Sequence, residues 1–367
     1  MISENDVLNA LKTIEDPDLR KDIVTLGFVQ NLSIRDNAVS LDIVLTTPAC
    51  PVKDQIRQQA EAAIASLGAK KIAVTMKARP VQKASGQLLT GVEHVVAVAS
   101  GKGGVGKSTV ATNLALALHA LGARVGLLDA DIYGPSIPLM MGIHERPKVV
   151  DERRLAPIQH HGITLMSIGF LMPDDQALVW RGPMVAQALT QFMRDVEWGE
   201  LDYLIVDMPP GTGDAQLTMS QAIQLTGSVI VTTPQDVALI DARRGVGMFQ
   251  KVNVPILGIV ENMSYYVCPN CNHRTEIFSN GGGRKAAAEY EVPFLGEIPL
   301  DLETRLAGDA GTPIVAAKPD SVNARVFLDI GKKLAQMISV LKYGTAEDKE
   351  RLMGQKVFFA NTRLKVI

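Results

Sequence analysis

The sequence predicts an α/β fold: a mainly parallel sheet covered by helices on both faces, preceded by a small α+β unit. Two observations predict it. Continuous apolar strand candidates at residues 95–99, 125–128, 203–206, 229–232 and 256–260 alternate with helical stretches, and strands apolar along their whole length belong to sheets buried on both sides. Between the first of them and the helix after it runs Gly101-Lys102-Gly103-Gly104-Val105-Gly106-Lys107-Ser108, which fits the phosphate-binding pattern G-x4-G-K-[ST]. At 367 residues the chain exceeds one typical core, so two domains are expected.

In chain order, residues 4–14 suggest a short helix, and alternation at residues 29–34 and 41–45 suggests a hairpin turning near Asp36 and Asn37. Pro51 is placed to open a helix whose apolar face is Val52, Ile56, Ala60 and Ile64, ending at Gly68, and residues 71–76 read as a further strand. This first domain spans 1–80. Residues 81–91, rich in turn formers and without periodicity, form a linker. The nucleotide-binding domain spans 92–343 and closes with a helix whose stripe is Val322, Val326, Ile330, Leu334, Ile338 and Leu341. The tail, 344–367, mixes apolar and basic residues without a helical stripe and receives no role.

Composition excludes several classes. With 47% hydrophobic and 21% charged residues the chain is neither disordered nor fibrous, and a net charge of −2 leaves no basic field for a nucleic acid backbone. No apolar run reaches the roughly 18 residues that span a bilayer. The polar opening Ser3-Glu4-Asn5-Asp6 is not that of an export signal, so a cytoplasmic protein without membrane attachment is expected. The three cysteines, Cys50, Cys268 and Cys271, suit metal or thiol chemistry better than a disulfide framework.

The P-loop carries the chemistry. Val110, Leu114, Leu118 and Leu121 recur behind it at helical spacing, giving the required strand, loop and helix. Its glycines, Gly101, Gly103, Gly104 and Gly106, let the backbone of residues 101–109, Val105 and Thr109 included, turn its N–H groups toward phosphate oxygens. Lys107 reaches the β and γ phosphates, and Ser108 ligates Mg2+. Lys102 is not required by the ordinary pattern; it is either a second cation near the phosphates or a solvated loop residue. Asp129 and Asp131 end one strand and Asp207 ends another, all near the phosphate end of the sheet. Asn262 ends a third, where its amide either reads a base edge or makes a turn. Cys268-Pro269-Asn270-Cys271 has the two-residue spacing that turns both sulfurs to one metal. Two thiolates are half of the usual four, so two chains related by a two-fold axis would complete the set. A redox pair, a zinc knuckle aided by His273, and plain packing stay open.

The run Lys-Gly-Gly-Val-Gly-Lys-Ser resembles the deviant Walker A sequence of the P-loop family containing MinD, ParA and nitrogenase iron protein. The resemblance implies an ATP-dependent homodimer in which Lys102 reaches the partner's nucleotide. It also puts Asp129 in the outer shell of Mg2+, makes Asp131 orient or deprotonate the attacking water, and makes Asp207 a Walker B aspartate with a γ-phosphate switch at residues 208–214. Together with Asp131-Ile132-Tyr133-Gly134-Pro135-Ser136, Glu261-Asn262-Met263-Ser264 and the cysteine pair, the chain resembles the Mrp/ApbC iron-sulfur carrier ATPases over about residues 92–341. That implies a labile 4Fe-4S cluster bridging Cys268 and Cys271 of two subunits, passed to apoproteins under ATP control with slow hydrolysis. The first domain, with Thr46-Thr47-Pro48-Ala49-Cys50-Pro51, resembles SufT-like and PaaD-like assembly modules. Cys50 falls between a strand and a helix start, where backbone N–H groups are expected to lower its pKa; it is a transient cluster ligand, a client contact, or a semi-buried cysteine. Two rival readings are a MinD/ParA-like ATP-dependent positioning switch, which lacks an attachment surface in this sequence, and electron transfer of the nitrogenase iron protein type, whose separated single cysteines differ from one CxxC.

Overall fold

The computed structural model describes residues 2–78, 89, 91–132, 134–151, 154–171 and 182–353; most of the linker, Tyr133 and residues 354–367 of the tail lie outside them. Helix α1 (Glu4–Leu11) opens on a capping box, Ser3 Oγ accepting the Asp6 N–H while the Asp6 carboxylate accepts the Ser3 N–H. It stops three residues before the expected end, because Thr13 and Ile14 turn their N–H groups onto Ala10 and Leu11 and the chain enters the short pair β1 (Glu15–Asp16) and β2 (Lys21–Asp22). Strands β3 (Val29–Arg35) and β4 (Ala38–Leu45) form the expected hairpin. Asp36 and Asn37 both take positive φ, 49° and 59°, as a two-residue I′ turn requires. Helix α2 (Lys53–Ser66) then crosses back so that β5 (Lys71–Ala78) lies parallel to β4.

The second, larger sheet runs in the order β15-β12-β11-β6-β10-β7-β9-β8, parallel except for the β8/β9 pair. Its elements in chain order are β6 (Val92–Ala99), α3 (Lys107–Ala120), β7 (Val125–Asp129), α4 (Ile137–Met140), β8 (Ile158–His160), β9 (Ile163–Ser167), α5 (Gly182–Asp195), β10 (Leu201–Asp207) and α6 (Asp214–Ala222). They continue through β11 (Gly227–Thr232), α7 (Asp236–Lys251), β12 (Ile256–Glu261), the pair β13 (Tyr266–Val267) and β14 (Arg274–Thr275), α8 (Gly282–Glu289) and β15 (Phe294–Glu297). The chain finishes with α9 (Leu302–Asp309), α10 (Ile314–Ala317), α11 (Val322–Tyr343) and α12 (Ala346–Met353).

Strands β7, β10, β11 and β12 are buried at every residue, which fits a sheet covered on both faces. Central strand β6 has β10 on one side and β11 on the other. The chain leaves β6 toward β7 and later returns to β11, so the loop after β6 stands at a topological switch point, where open α/β sheets take their ligands. Among the described residues no helix is long and apolar enough to cross a membrane.

The two sheets meet along α11, whose Val340 belongs to the core of the N-terminal unit. Thr46 Oγ1 and Ser339 Oγ lie 2.7 Å apart, Thr47 bonds the Tyr203 hydroxyl, and Gln336 donates to Asp18. The segment after Gly344, given no structure from sequence, begins with α12: Thr345 Oγ1 accepts the Asp348 N–H and Asp348 accepts the Thr345 N–H. Its apolar content is too low to leave a stripe.

Candidate functional site

The site assembles at the carboxyl ends of the strands. The loop after β6 turns on Gly104 (φ 82°) and Gly106 (φ 80°), left-handed geometries that free its N–H groups. Ser100 Oγ–H closes the first turn onto the Lys102 carbonyl at 2.8 Å. A Cβ at Gly106 would stand 2.3 Å from Asn262 Nδ2, and that amide donates to the Val105 carbonyl at 2.9 Å. Asn262, expected at a strand end, thus holds the P-loop directly. The segment at residues 208–214 also touches it, the Gly211 N–H bonding the Ser100 carbonyl at 2.9 Å.

Lys107, Ser108, Asp129, Asp131 and Asp207 form one cluster. Lys107 Nζ lies 2.6 Å from Asp207 Oδ1 and 3.6 Å from Asp131 Oδ2, and Ser108 Oγ–H donates to Asp207 Oδ2 at 2.6 Å. Asp129 accepts from Ser167 Oγ at 2.9 Å and from the Asp131 and Ile137 N–H groups at 3.2 Å. Burial raises the pKa of both Asp129 and Asp207. Asp129, with the charge of Asp207 adding to the effect, is pushed up to about 7; Lys107 and Ser108 oppose the rise at Asp207. Buried carboxylates so placed favour a positive charge, which here is the Lys107 ammonium.

Beside the P-loop lies a cavity of about 300 Å³ whose walls include Gly106, Thr109, Asn262, Pro299, Leu300 and Asp301. It opens against Gly106 of the P-loop and the Asn262 side chain that braces it. Its far wall, residues 298–301 and α9, was missed from sequence, although Ile298-Pro299-Leu300-Asp301 reads as a strand exit followed by a helix cap, and the Asp301 carboxylate does accept the Thr304 N–H. Lys102 is half-buried in the loop.

Cys268 and Cys271 stand apart from this cluster, on the turn between β13 and β14, half-buried and exposed respectively. The Asn270 and Cys271 N–H groups lower the Cys268 pKa, favouring a thiolate. Among the described residues no group of three or more His, Cys, Asp or Glu side chains is arranged to hold a metal, so His273 does not join the pair in such a set. Cys50 departs from expectation. It is packed against the N-terminal core, and burial, with the charges of Asp16 and Asp18 adding, pushes its thiol up to about 12; the Val52 N–H lowers it too little to compensate.

The fold and the phosphate-binding site define a P-loop NTPase of the MinD and ParA type. The chain belongs to the NUBPL iron-transfer P-loop NTPase (ParA) family, matched over residues 91–335, and residues 4–76 match the iron-sulfur cluster assembly protein family. It is 50% identical over 91% of its length to the iron-sulfur cluster carrier protein of Deinococcus radiodurans, covering 95% of that protein. A nucleotide-binding protein of Archaeoglobus fulgidus, solved in complex with ADP, is similar at 42% identity with a TM-score of 0.54, over 60% of this chain and 87% of that one. The cell division ATPase MinD of Pyrococcus furiosus shares 22% identity with a TM-score of 0.51, over 66% of this chain and 98% of that one; this likeness concerns the fold alone.

Proposed function

We propose that this chain is an ATP-dependent iron-sulfur carrier: a cytoplasmic homodimer that holds a 4Fe-4S cluster between Cys268 and Cys271 of both copies and passes it to apoproteins. The observation that carries this reading is an accessible CxxC turn, with two thiols and no third ligand on its own chain among the described residues, hung beside a P-loop pocket. Half a ligand set invites a second copy. The carrier names of the relatives support the same cargo.

Residues 1–80 serve as an assembly module docked on the ATPase unit, 92–343. Lys107 exchanges Asp207 for the β and γ phosphate oxygens of ATP. Ser108 and Asp207 would hold Mg2+, with Asp129 behind them, and the ion would supply charge to the phosphates; Asp131 would orient the water for a slow hydrolysis. Lys102 reaches the partner's nucleotide, tying dimer closure to ATP. Cluster transfer is ligand exchange: a client thiolate replaces a carrier thiolate at iron, and no electron is consumed.

The test is iron and acid-labile sulfide after anaerobic reconstitution of the wild type and of Cys268→Ala/Cys271→Ala. About four irons and four sulfides per dimer, lost in the double variant, is the expected result. Equal, low iron in both, or zinc in its place, would overturn the carrier reading.

A further inference from the structure

Glu261 is the last residue of β12 and is wholly buried. Its Oε1 accepts Ser264 Oγ–H at 2.6 Å and the Gly281 N–H at 3.0 Å, and its Oε2 accepts the Gly283 N–H at 2.5 Å. Ser264 opens the excursion that carries both cysteines, and Gly281 to Gly283 close it at the head of α8. Asn280 Nδ2 adds a bond across the base to Ser264 Oγ at 3.1 Å. One carboxylate therefore fastens both ends of the cysteine excursion. The seat is tight, since a Cβ at Gly283 would meet Glu261 Cβ at 3.0 Å and Oε2 at 3.1 Å. Three donors converge on it at the positive end of a helix, two at one carboxyl oxygen and one at the other.

The same residue abuts the nucleotide pocket. Its neighbour Asn262 grips the P-loop at Val105 and lines the cavity. Its own carbonyl accepts the Ile298 N–H at 2.8 Å, the Ser264 N–H returns to the Ile298 carbonyl at 3.0 Å, and the Leu300 N–H bonds the Tyr265 carbonyl at 2.7 Å. Ile298 and Leu300 are pocket wall. Pocket and cysteine turn thus share one continuous set of bonds, with Glu261 at its crossing.

We infer that Glu261 is a positioning residue that relays nucleotide occupancy to the cysteine turn and so sets how accessible Cys268 and Cys271 are to a client. What the thiols hold rests on the carrier reading above, but the relay needs no cluster. Ligand-induced movement of Asn262 or of the pocket wall reaches the base of the excursion through a carboxylate that clamps both of its ends.

The experiment is iodoacetamide alkylation of the full-length, cluster-free protein with MgADP, MgATP or neither, followed at each cysteine by peptide mass spectrometry. In the wild type nucleotide changes the rate at Cys268 and Cys271 by about fivefold or more, the lower end of ordinary coupling between sites. Glu261→Gln turns an amide N–H toward donors, so its nucleotide response falls below about twofold while its MgADP affinity stays within about threefold, an uncoupled pair of sites. A purely structural residue would shift the melting temperature and the nucleotide-free rate but leave the ratio. A wild-type response in Glu261→Gln, or wild-type thiols indifferent to both nucleotides, overturns the inference. Should Glu261→Gln not fold, Ser264→Ala removes one stem bond with Glu261 in place: a halved response supports the relay, and an unchanged one overturns it. Iron binding lost with the thiol response intact would sink the carrier reading alone, and the reverse would sink this inference alone.

Discussion

Lys107 Nζ lies 2.6 Å from Asp207 Oδ1, and both side chains are buried, so the lysine that a P-loop offers to phosphate is held by a strand-end carboxylate. On the proposed reading, nucleotide competes with Asp207 for that cation. Lys107→Ala leaves the carboxylate in the interior without it, and breaking a buried pair from one side costs about 3–5 kcal/mol. Denaturant unfolding of the nucleotide-free variant should show a loss of that size, alongside loss of MgATP binding. A loss below about 1 kcal/mol would mean that the pair behaves as a solvated one.

The acid side of the site makes a pH prediction. Asp129 is raised from 3.8 to about 7, so between those values the folded state holds a proton that the unfolded chain has released. Stability of the nucleotide-free protein therefore falls as pH rises from about 4 to about 7, and Asp18, raised to about 6, contributes in the same direction. Asp129→Asn should flatten the upper part of that slope in melts taken from pH 5 to 8. An unchanged slope would assign it to other groups.

Thiol reactivity separates Cys50 from Cys268. Cys50, pushed up to about 12, stays protonated at pH 8, whereas the lowered Cys268 gains thiolate. Alkylation at Cys268 should outrun that at Cys50 by about tenfold or more, because the thiolate is the nucleophile. Cys50→Ala should also leave the iron content after reconstitution unchanged; a fall would restore Cys50 as a ligand.

Much of this site was legible in the sequence because phosphate chemistry is written locally: the P-loop glycines, Lys107 and Ser108 lie in one short run, Asp129 and Asp207 each close an apolar strand, and Asn262 directly follows one. What was hidden depends on tertiary approach. The pocket wall at Leu300 and Asp301 follows β15, more than thirty residues beyond Asn262, and although its residues read as a strand exit and a helix cap, they carry no mark of the P-loop they face. The expected lowering of the Cys50 pKa fails for the same reason, while its semi-buried place was among the alternatives. Its place before a helix promised N–H groups, but the residues around Thr46 and Thr47 are pressed against Ser339 and Tyr203, and burial decides the thiol.

That docking can be measured. Tyr203 is fully buried with its hydroxyl on Thr47 Oγ1. Thr47→Val leaves the buried Tyr203 hydroxyl unpaired, at a cost of about 1–3 kcal/mol, whereas in Tyr203→Phe the Thr47 Oγ1 still accepts the Ala49 N–H and the loss should be smaller; the double variant should be less harmful than the sum. Additive losses in the cycle would show that the two hydroxyls do not depend on each other.

Two glycines of the P-loop provide an internal control for the role of Asn262. Gly104 and Gly106 share almost the same left-handed backbone, φ 82° and 80°, so alanine at either pays the same conformational strain, about 1–2 kcal/mol. Their surroundings differ. A Cβ at Gly104 meets nothing within 4 Å, while one at Gly106 stands 2.3 Å from Asn262 Nδ2 and must push that amide off the Val105 carbonyl. If Asn262 both braces the loop and faces the nucleoside, Gly106→Ala loses the brace and reshapes the cavity together, and its MgADP affinity should drop at least about tenfold below that of Gly104→Ala, the equivalent of one lost buried hydrogen bond. Calorimetric titration of the two variants makes the comparison, with Asn262→Ala as reference. Equal affinities in both glycine variants would mean that Asn262 yields without consequence and that strain alone governs the loop.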